Sequence, residues 1–490
     1  MGKNLKKLTI LHSNDFHGDF LAEQVDETLI GGVSYLSGYV NKVRNEEKNV
    51  IYAIAGDMFR GSLIDSEYQG ISTIHIMNML APDVVSLGNH EVDYGLSHLL
   101  FLEKCASFPI ICSNMYIKYI GKRMFRSHWI KEIDGMRVLF IGILTKDVLA
   151  NTKSEGLTGM LVDLEDTVSE VGKICDAYRT SDIDLTVLLT HIGIDNDKEL
   201  AAALDPAWGV DIIIGGHSHT RMSEPCEVAG IPIVQAAIGT DQIGRFDIMV
   251  DTVNNCIDSY KWQCIPITSE NCPRDMALEE VINEYKDLTD QKYNHILTRF
   301  PRAYTHPHRN METELGDLMS EGLRDQLGVD LMLLGSGSIR KPTLGPIVTL
   351  KDFNEMFPYS TSIYSVKFTG EQLRRAMQFM LREDNLIDEE IGEWYQFSRG
   401  FFCEYDRPTQ KILSLKMNGK EVEDSDPFTV GLQTYHYTNS EKFLQVSNDE
   451  IKANGRTLEV ATKSANVLQE YLDRHEHIEI DEEKRIVIHE

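Results

Sequence analysis

The chain has 490 residues, 42% hydrophobic and 25% charged, and its 48 Lys and Arg against 76 Asp and Glu give a net charge of -28. That length predicts two or three domains, each able to bury a core. The acidity argues against loose electrostatic binding to nucleic acid or to an anionic membrane. An anionic substrate must therefore meet positive charge from metal ions or placed arginines.

The N-terminus offers only Leu8-Thr9-Ile10-Leu11 as an apolar run before polar residues, too short for a signal-peptide core. Lys6 breaks the myristoylation pattern, and no apolar run reaches membrane-spanning length. Eight cysteines are scattered without a Cys-x-x-Cys pair, which reads as reduced, mostly buried thiols in a cytoplasmic protein.

The first predicted strand, Leu8–His12, runs into Ser13-Asn14-Asp15-Phe16-His17-Gly18. Asp15 and His17 are two apart, so extended backbone points both to one side, as ligands for one metal. The second strand, Val50–Ala55, ends in Gly56-Asp57, whose carboxylate has two oxygens and could bridge two cations. Apolar residues at helical spacing over 67–80 predict a core helix. The run Asp83–Leu87 then delivers Gly88-Asn89-His90-Glu91-Val92-Asp93. Asn89 is a neutral oxygen donor suited to a divalent cation. Asp93 lies near enough to orient His90 through a ring nitrogen.

Met136–Leu144 is a strand with no ligand at its end, and residues 163–179 read as an amphipathic helix. The strand Asp184–Leu189 ends in Thr190-His191. Val210–Ile214 ends in Gly215-Gly216-His217-Ser218-His219, where His217 and His219 repeat the spacing of the first pair. A lone histidine after a strand is usually a satisfied turn or core residue; here five apolar strands end in Asp/His, Asp, Asn/His, His and His/His. The donors are all nitrogen and oxygen, which suits Zn, Mn, Fe or Co better than a thiolate-rich structural site. Seven ligands, Asp15, His17, Asp57, Asn89, His191, His217 and His219, are too many for one tetrahedral ion and fit two ions sharing a carboxylate.

A polar stretch around Asn271-Cys272-Pro273 marks a boundary, and a stripe of Leu278, Val281, Ile282, Tyr285 and Leu288 predicts a linking helix. This gives domains of 1–270 and 300–490 joined by 271–299. In the second, Met311–Leu327 reads as a helix and Val329–Leu334 as a strand ending in Gly335-Ser336-Gly337-Ser338-Ile339-Arg340. That spacing is wrong for a dinucleotide fingerprint, yet the loop lets backbone N–H groups and Arg340 approach an anion. Next come Phe357-Pro358-Tyr359, a strand over Ser362–Val366, and a helix from Thr369, where Thr369 and Gln372 have capping-box spacing. A strand over Phe428–Leu432 leads to Thr434-Tyr435-His436-Tyr437. The tail reads as a helix near 459–474 and a strand pair, 477–480 with 485–488.

Together, Asp15-x-His17, Gly56-Asp57, Gly88-Asn89-His90-Glu91, Thr190-His191 and Gly216-His217-Ser218-His219 resemble the calcineurin-like metallophosphoesterase signature. With the second domain, nearly the whole chain resembles the 5'-nucleotidase family, which also contains UDP-sugar hydrolases and 2',3'-cyclic nucleotide phosphodiesterases. The resemblance implies an α/β chain: a four-layer αββα metallophosphoesterase sandwich followed by a smaller α/β substrate-binding domain. It implies one ion held by Asp15, His17, Asp57 and His219 and a second held by Asp57, Asn89, His191 and His217, with His90 and Asp93 as the catalytic dyad. It further implies hydrolysis of nucleoside 5'-monophosphates by in-line attack of metal-activated water, with cyclic nucleotides or UDP-sugars as alternative substrates. The partner is a small-molecule nucleotide, with no nucleic acid or membrane.

By the same resemblance Arg309 and Arg340 bind anionic groups, Tyr359 and Tyr435 clamp the base, and Glu441 stands where many members carry the Asp of a Gly-Gly-Asp-Gly loop. The chain departs from the family at Asn439-Ser440-Glu441-Lys442, which lacks glycines, and at Gly335, where the usual residue is Asn. Both departures touch base and ribose recognition. A catalytically dead nucleotide-binding protein would lack a ligand or a dyad residue, and none is missing.

Overall fold

In the computed structural model, which describes residues 3–146, 162–359, 361–387, 394–480 and 483–490, side-chain alternation along buried strands builds the first unit. Ile51, Ala53 and Ala55 of Val50–Ala55 face one core, while Val50, Tyr52 and Ile54 face another. Met136, Val138 and Phe140 of Met136–Leu144 join the first of these cores, and Leu139, Ile141 and Ile143 turn to a third. Strands buried on both faces need a cover on each side.

The result is two six-stranded sheets packed face to face. One contains the parallel strands Leu5–Ser13, Val50–Ala55, Val84–Ser86 and Ile110–Ile111, extended by the antiparallel Gln242–Asp251 and Cys256–Pro266. The other contains the parallel strands Met136–Leu144, Leu185–His191, Ile212–Ile214 and Ile231–Val234. Helices Val33–Glu46, Ile71–Leu80 and Leu96–Cys105 cover the outer face of the first sheet, and Thr167–Tyr178 with Ile194–Ala203 covers the second. This is the expected four-layer αββα sandwich.

The expected helix over 67–80 is two helices, Leu63–Glu67 and Ile71–Leu80. Gly70, at φ 84°, breaks the chain between them, and Ser62 caps the first by accepting from Asp65 N. The helix expected over 163–179 spans Thr167–Tyr178, capped by Asp166.

Met1–Thr289 and Asp290–Glu490 form separate compact units. Helix Met276–Tyr293 buries Leu278 and Ile282 in the first unit's core. Strand Ile296–Arg299 pairs with Ile347–Thr349 within the second unit.

The second unit holds a five-stranded sheet in the order Tyr395–Phe397, Leu331–Gly335, Pro427–Gln433, Ile363–Thr369, Leu458–Ala461. A four-stranded sheet contains Phe401–Asp406, Lys411–Met417, Lys420–Glu421 and Ile486–His489. The predicted capping box of Thr369 and Gln372 opens helix Gly370–Met380. Three readings need correction. Helix Glu314–Leu327 starts three residues later than Met311, where Thr313 caps it. Residues 458–461 are a strand, and the last long helix is Ser464–Arg474. The tail does not form a strand pair: Ile486–His489 pairs in parallel with Phe401–Asp406, and His477 makes an isolated bridge to Arg299. Burial against a central strand outweighs the local hairpin pattern there.

Candidate active site

The carboxyl ends of Leu5–Ser13, Val50–Ala55, Val84–Ser86, Leu185–His191 and Ile212–Ile214 converge, as expected for ligand sites in parallel α/β sheets. Three groups each bring their ligand atoms within 4.8 Å of one another: Asp15, His17 and His219; His17, Asp57 and His90; Asp57, His191 and His217. Asp57 and His17 each belong to two of them.

The backbone makes this convergence by leaving extended geometry at the donors. Asp15, His17, Asp57, His217 and His219 all have positive φ, from 49° to 81°. Non-glycine residues rarely adopt this region, and clusters of them mark functional loops. Glycines supply the remaining space: a Cβ on Gly88 would lie 2.2 Å from Asp57 Oδ1, and one on Gly56 would lie 2.6 Å from His191 Nδ1.

Hydrogen bonds fix which imidazole nitrogen faces the centre. His191 Nδ1 donates to Ala55 O at 2.8 Å, and His17 Nδ1 donates to Arg60 O at 3.1 Å. Both Nε2 atoms thereby face inward, where each can ligate a cation in place of a proton. His17 Nε2 lies 3.1 Å from His219 Nε2 and 3.7 Å from Asp57 Oδ2. His191 Nε2 lies 3.1 Å from Asp57 Oδ2 without the alignment of a hydrogen bond. Asn89 Oδ1 is buried and has no hydrogen-bond partner. Asp15 accepts the His217 backbone N–H at 3.0 Å, and Asp57 Oδ1 accepts that of His90 at 2.9 Å. Inward-facing ring nitrogens, buried carboxylates and an unpartnered amide oxygen fit divalent cations, because a cation satisfies all of them at once.

The charges agree with this reading. Burial would raise Asp57, but His191 above all outweighs it and holds the carboxyl well below its ordinary range. Burial would lower His191, but Asp57 and Asp15 hold it up at about 9. A cation seated between the same carboxylates takes the place of that proton when the imidazole ligates.

His90 Nδ1 donates to Asp93 Oδ2 at 2.7 Å, and this hydrogen bond raises the imidazole above its ordinary range against the effect of burial. His17 and His90 are in edge contact, ring centroids 5.2 Å apart. A protonatable donor thus stands at the rim of the carboxylate and imidazole cluster, half-buried.

Two residues with no assigned role in the sequence reading belong to this site. Glu91 is fully buried and accepts from the backbone N–H groups of Met58 at 2.6 Å, Gly88 at 2.8 Å and Asp57 at 3.2 Å, tying two ligand loops together. Burial, then the Asp57 carboxylate, pushes it up to about 8. Arg60 donates from Nε to Asp93 Oδ2 at 2.8 Å. Only the adjacency of Glu91 to the dyad signalled it; Arg60 had no sequence signal.

In the second unit the structure joins some of the expected substrate residues and not others. Arg340 Nη2 donates to Tyr359 OH at 2.9 Å, and its guanidinium lies 4.8 Å from the Tyr359 ring centroid. Tyr435, on the short helix Thr434–Thr438, packs against Phe443 with centroids 5.3 Å apart. Among the described residues Tyr359 and Tyr435 make no ring contact with each other, and Arg309 and Glu441 are exposed without an ion pair. The departure at Gly335 has a physical reason: a Cβ there would lie 2.1 Å from His436 Nε2. His436 fills the space a side chain at 335 needs, and its Nδ1 shares a hydrogen bond of 2.9 Å with Tyr395 OH. The departure at 439–442 is also structural, since Ser440–Leu444 is a helical turn in place of a glycine loop.

Residues 8–221 match the calcineurin-like phosphoesterase family, and residues 292–448 match the 5'-nucleotidase C-terminal domain. The 5'-nucleotidase of Mus musculus is 24% identical over 529 residues, covering 96% of this chain and 88% of its own. Endonuclease YhcR of Bacillus subtilis (strain 168) is 23% identical over 462 residues, covering 88% of this chain; the chain spans 37% of that protein's length. The crystal structure of a 5'-nucleotidase precursor from Thermus thermophilus shares the fold, with a TM-score of 0.59, 22% identity and 99% of each chain covered.

Proposed function

The chain belongs to the 5'-nucleotidase family of metal-dependent phosphoesterases, and from that premise we propose that it is a two-metal hydrolase releasing phosphate from nucleoside 5'-monophosphates. The observation that carries this reading is the continuity of the ligand groups at the strand ends, in which His17 and Asp57 link Asp15 and His219 on one side to His191 and His217 on the other. Asp15, His17, Asp57 and His219 would hold one divalent ion, and Asp57, Asn89, His191 and His217 the other. When bound, such a pair supplies Lewis-acid charge and a more acidic water for in-line displacement at phosphorus.

The chain's own residues do the rest. His90, raised above its ordinary range by its hydrogen bond to Asp93, donates to a phosphoryl oxygen as charge develops in the transition state. Arg340 and Arg309 offer guanidinium groups to anionic parts of the substrate. Tyr359 and Tyr435, both about half exposed, offer faces to a nucleobase. A face-on contact tolerates any base, so breadth across nucleobases is expected.

A second reading keeps the same chemistry and changes the substrate. It is favoured by two observations: His436 in the space above Gly335, and a helical turn in place of a glycine loop at 440–444. Under it the substrates are 2',3'-cyclic nucleotides or UDP-sugars.

Phosphate release from nucleoside monophosphates, cyclic nucleotides, UDP-glucose and bis(p-nitrophenyl) phosphate separates the two, with Mn, Co, Zn, Mg or chelator present and a follow-on phosphatase for the cyclic substrates. Metal-dependent release from several monophosphates, abolished by chelator, is the expected result. Turnover confined to diesters or UDP-sugars would move the assignment to the second reading.

A further inference from the structure

Arg60 lies three residues past Asp57, in a loop that touches the candidate centre twice. Its carbonyl oxygen accepts from His17 Nδ1 at 3.1 Å, and its Nε donates to Asp93 Oδ2 at 2.8 Å, the same oxygen that accepts from His90 Nδ1. Its backbone is at φ 67°, unusual for a residue with a side chain. The next residue, Gly61, has no room for a Cβ, which would lie 2.0 Å from His17 O.

The loop is held from below as well. Buried Asp65 accepts from Arg60 N at 2.8 Å and from the hydroxyls of Tyr94 and Thr73. Tyr94 follows Asp93 in the chain, and its ring lies 5.9 Å from the Arg60 guanidinium. Arg60, Asp93 and His90 are therefore the upper edge of a closed network resting on Asp65.

An ion pair whose arginine side chain is 52% exposed adds little to stability, about 0–1 kcal/mol. Geometry is the better reason for keeping a strained residue there. A carboxylate held by one donor can pivot about that bond and keep it; Asp93, whose Oδ2 is held by both an imidazole and a guanidinium, cannot pivot about one bond without disturbing the other. We propose that Arg60 is a positioning residue: its guanidinium locks Asp93, and through Asp93 aims the His90 imidazole at the strand-end cluster. This rests on the role given to His90 above, and it adds a residue outside the expected ligand and dyad set.

Arg60→Gly removes the guanidinium while the positive φ suits glycine, so the carbonyl contact to His17 is kept. The expected result is a fall in kcat of about 10- to 100-fold, the usual cost of losing an outer partner of a functional imidazole. KM and the metal content per chain stay unchanged, and Arg60→Lys recovers part of kcat. Combined with Asp93→Ala, Arg60→Gly costs nothing further, because its effect runs through Asp93. Independently of turnover, the His90 Nδ1 proton resonance, assigned by its loss in His90→Ala, is expected to be visible in the wild type and broadened by exchange in Arg60→Gly. A retained resonance with kcat within twofold of wild type would overturn the proposal. So would an effect confined to KM, which would make Arg60 a substrate contact, or additive losses with Asp93→Ala. A wild type inert toward every phosphoester would overturn the functional reading instead, leaving the resonance to decide the role of Arg60.

Discussion

In the first unit, Asp15, Asp57 and His191 are buried and fixed by backbone hydrogen bonds from neighbouring strand ends. In the second, Arg309, Arg340, Tyr359, Tyr435 and Glu441 are exposed and stand on loops or single helical turns. The contrast fits the roles proposed for each set. Carboxylates gathered around cations repel one another and lose hydration, so the fold must hold them in place beforehand, at the cost of strained backbone and missing Cβ atoms. Groups that recognise an organic ligand must meet it from solvent, and they can take up their final order on binding.

The sharpest way to break this contrast is Asp57→Ala. Loss of the carboxylate shared by two ligand groups should reduce phosphate release to the chelated background while the second unit's unfolding transition is unchanged. Turnover persisting in that variant, measured with metal in excess, would refute the shared role.

Next in size is Gly335→Asn in the second unit. The new side chain collides with His436, and the overpacking should destabilise that unit by about 1–3 kcal/mol in urea unfolding. Adding His436→Ala should restore most of the loss; no recovery would mean that position 335 is constrained by something other than the imidazole.

Tyr435→Ala tests the exposed set directly. The expected effect is a rise in KM of about tenfold, equivalent to about 1.4 kcal/mol of base stacking, with kcat little changed. A loss in kcat alone would place Tyr435 nearer the chemistry than its exposure suggests.

At neutral pH the smallest effect concerns His12, whose contribution is lost only on acidification; it is buried in the first unit and accepts from Trp262 Nε1 at 3.0 Å. Burial lowers His12 from 6.5 to about 3. The unfolded chain therefore binds the extra proton below pH 6.5, and stability from this group is lost as pH falls through the window between the two values. The loss is about 1.4 kcal/mol per pH unit at most. His12→Gln should flatten that part of the pH dependence of hydrogen exchange in Leu5–Ser13; an unchanged slope would assign it to other groups.

How much of this was legible in the sequence differs between the units for the same physical reason. Val50–Ala55 and Met136–Leu144 were readable to the residue, because strands buried on both faces are continuous apolar runs bounded by glycine or polar residues. Asp15, Asp57 and His219 were visible because each sits in a short polar stretch directly after such a run. Glu91 was in view only as a neighbour of the dyad, since its partners are backbone N–H groups that no side-chain pattern reveals. Arg60 was out of view, because its link to Asp93 bridges 33 residues of chain. In the second unit only the family register picked out Tyr435 and Arg309, and the reason for Gly335 lay about 100 residues away in His436. The tail was misread because Ile486–His489 finds its partner in Phe401–Asp406, a pairing that local alternation cannot encode.

The central claim, a pair of ions sharing Asp57, is most directly tested by titrating Mn²⁺ into metal-free protein while recording electron paramagnetic resonance and phosphate release together. The account predicts two ions per chain, a spin-coupled signal on filling the second site, and turnover that rises with that signal and vanishes in Asp57→Ala. Full turnover at one ion per chain, or two ions that remain magnetically independent, would contradict it.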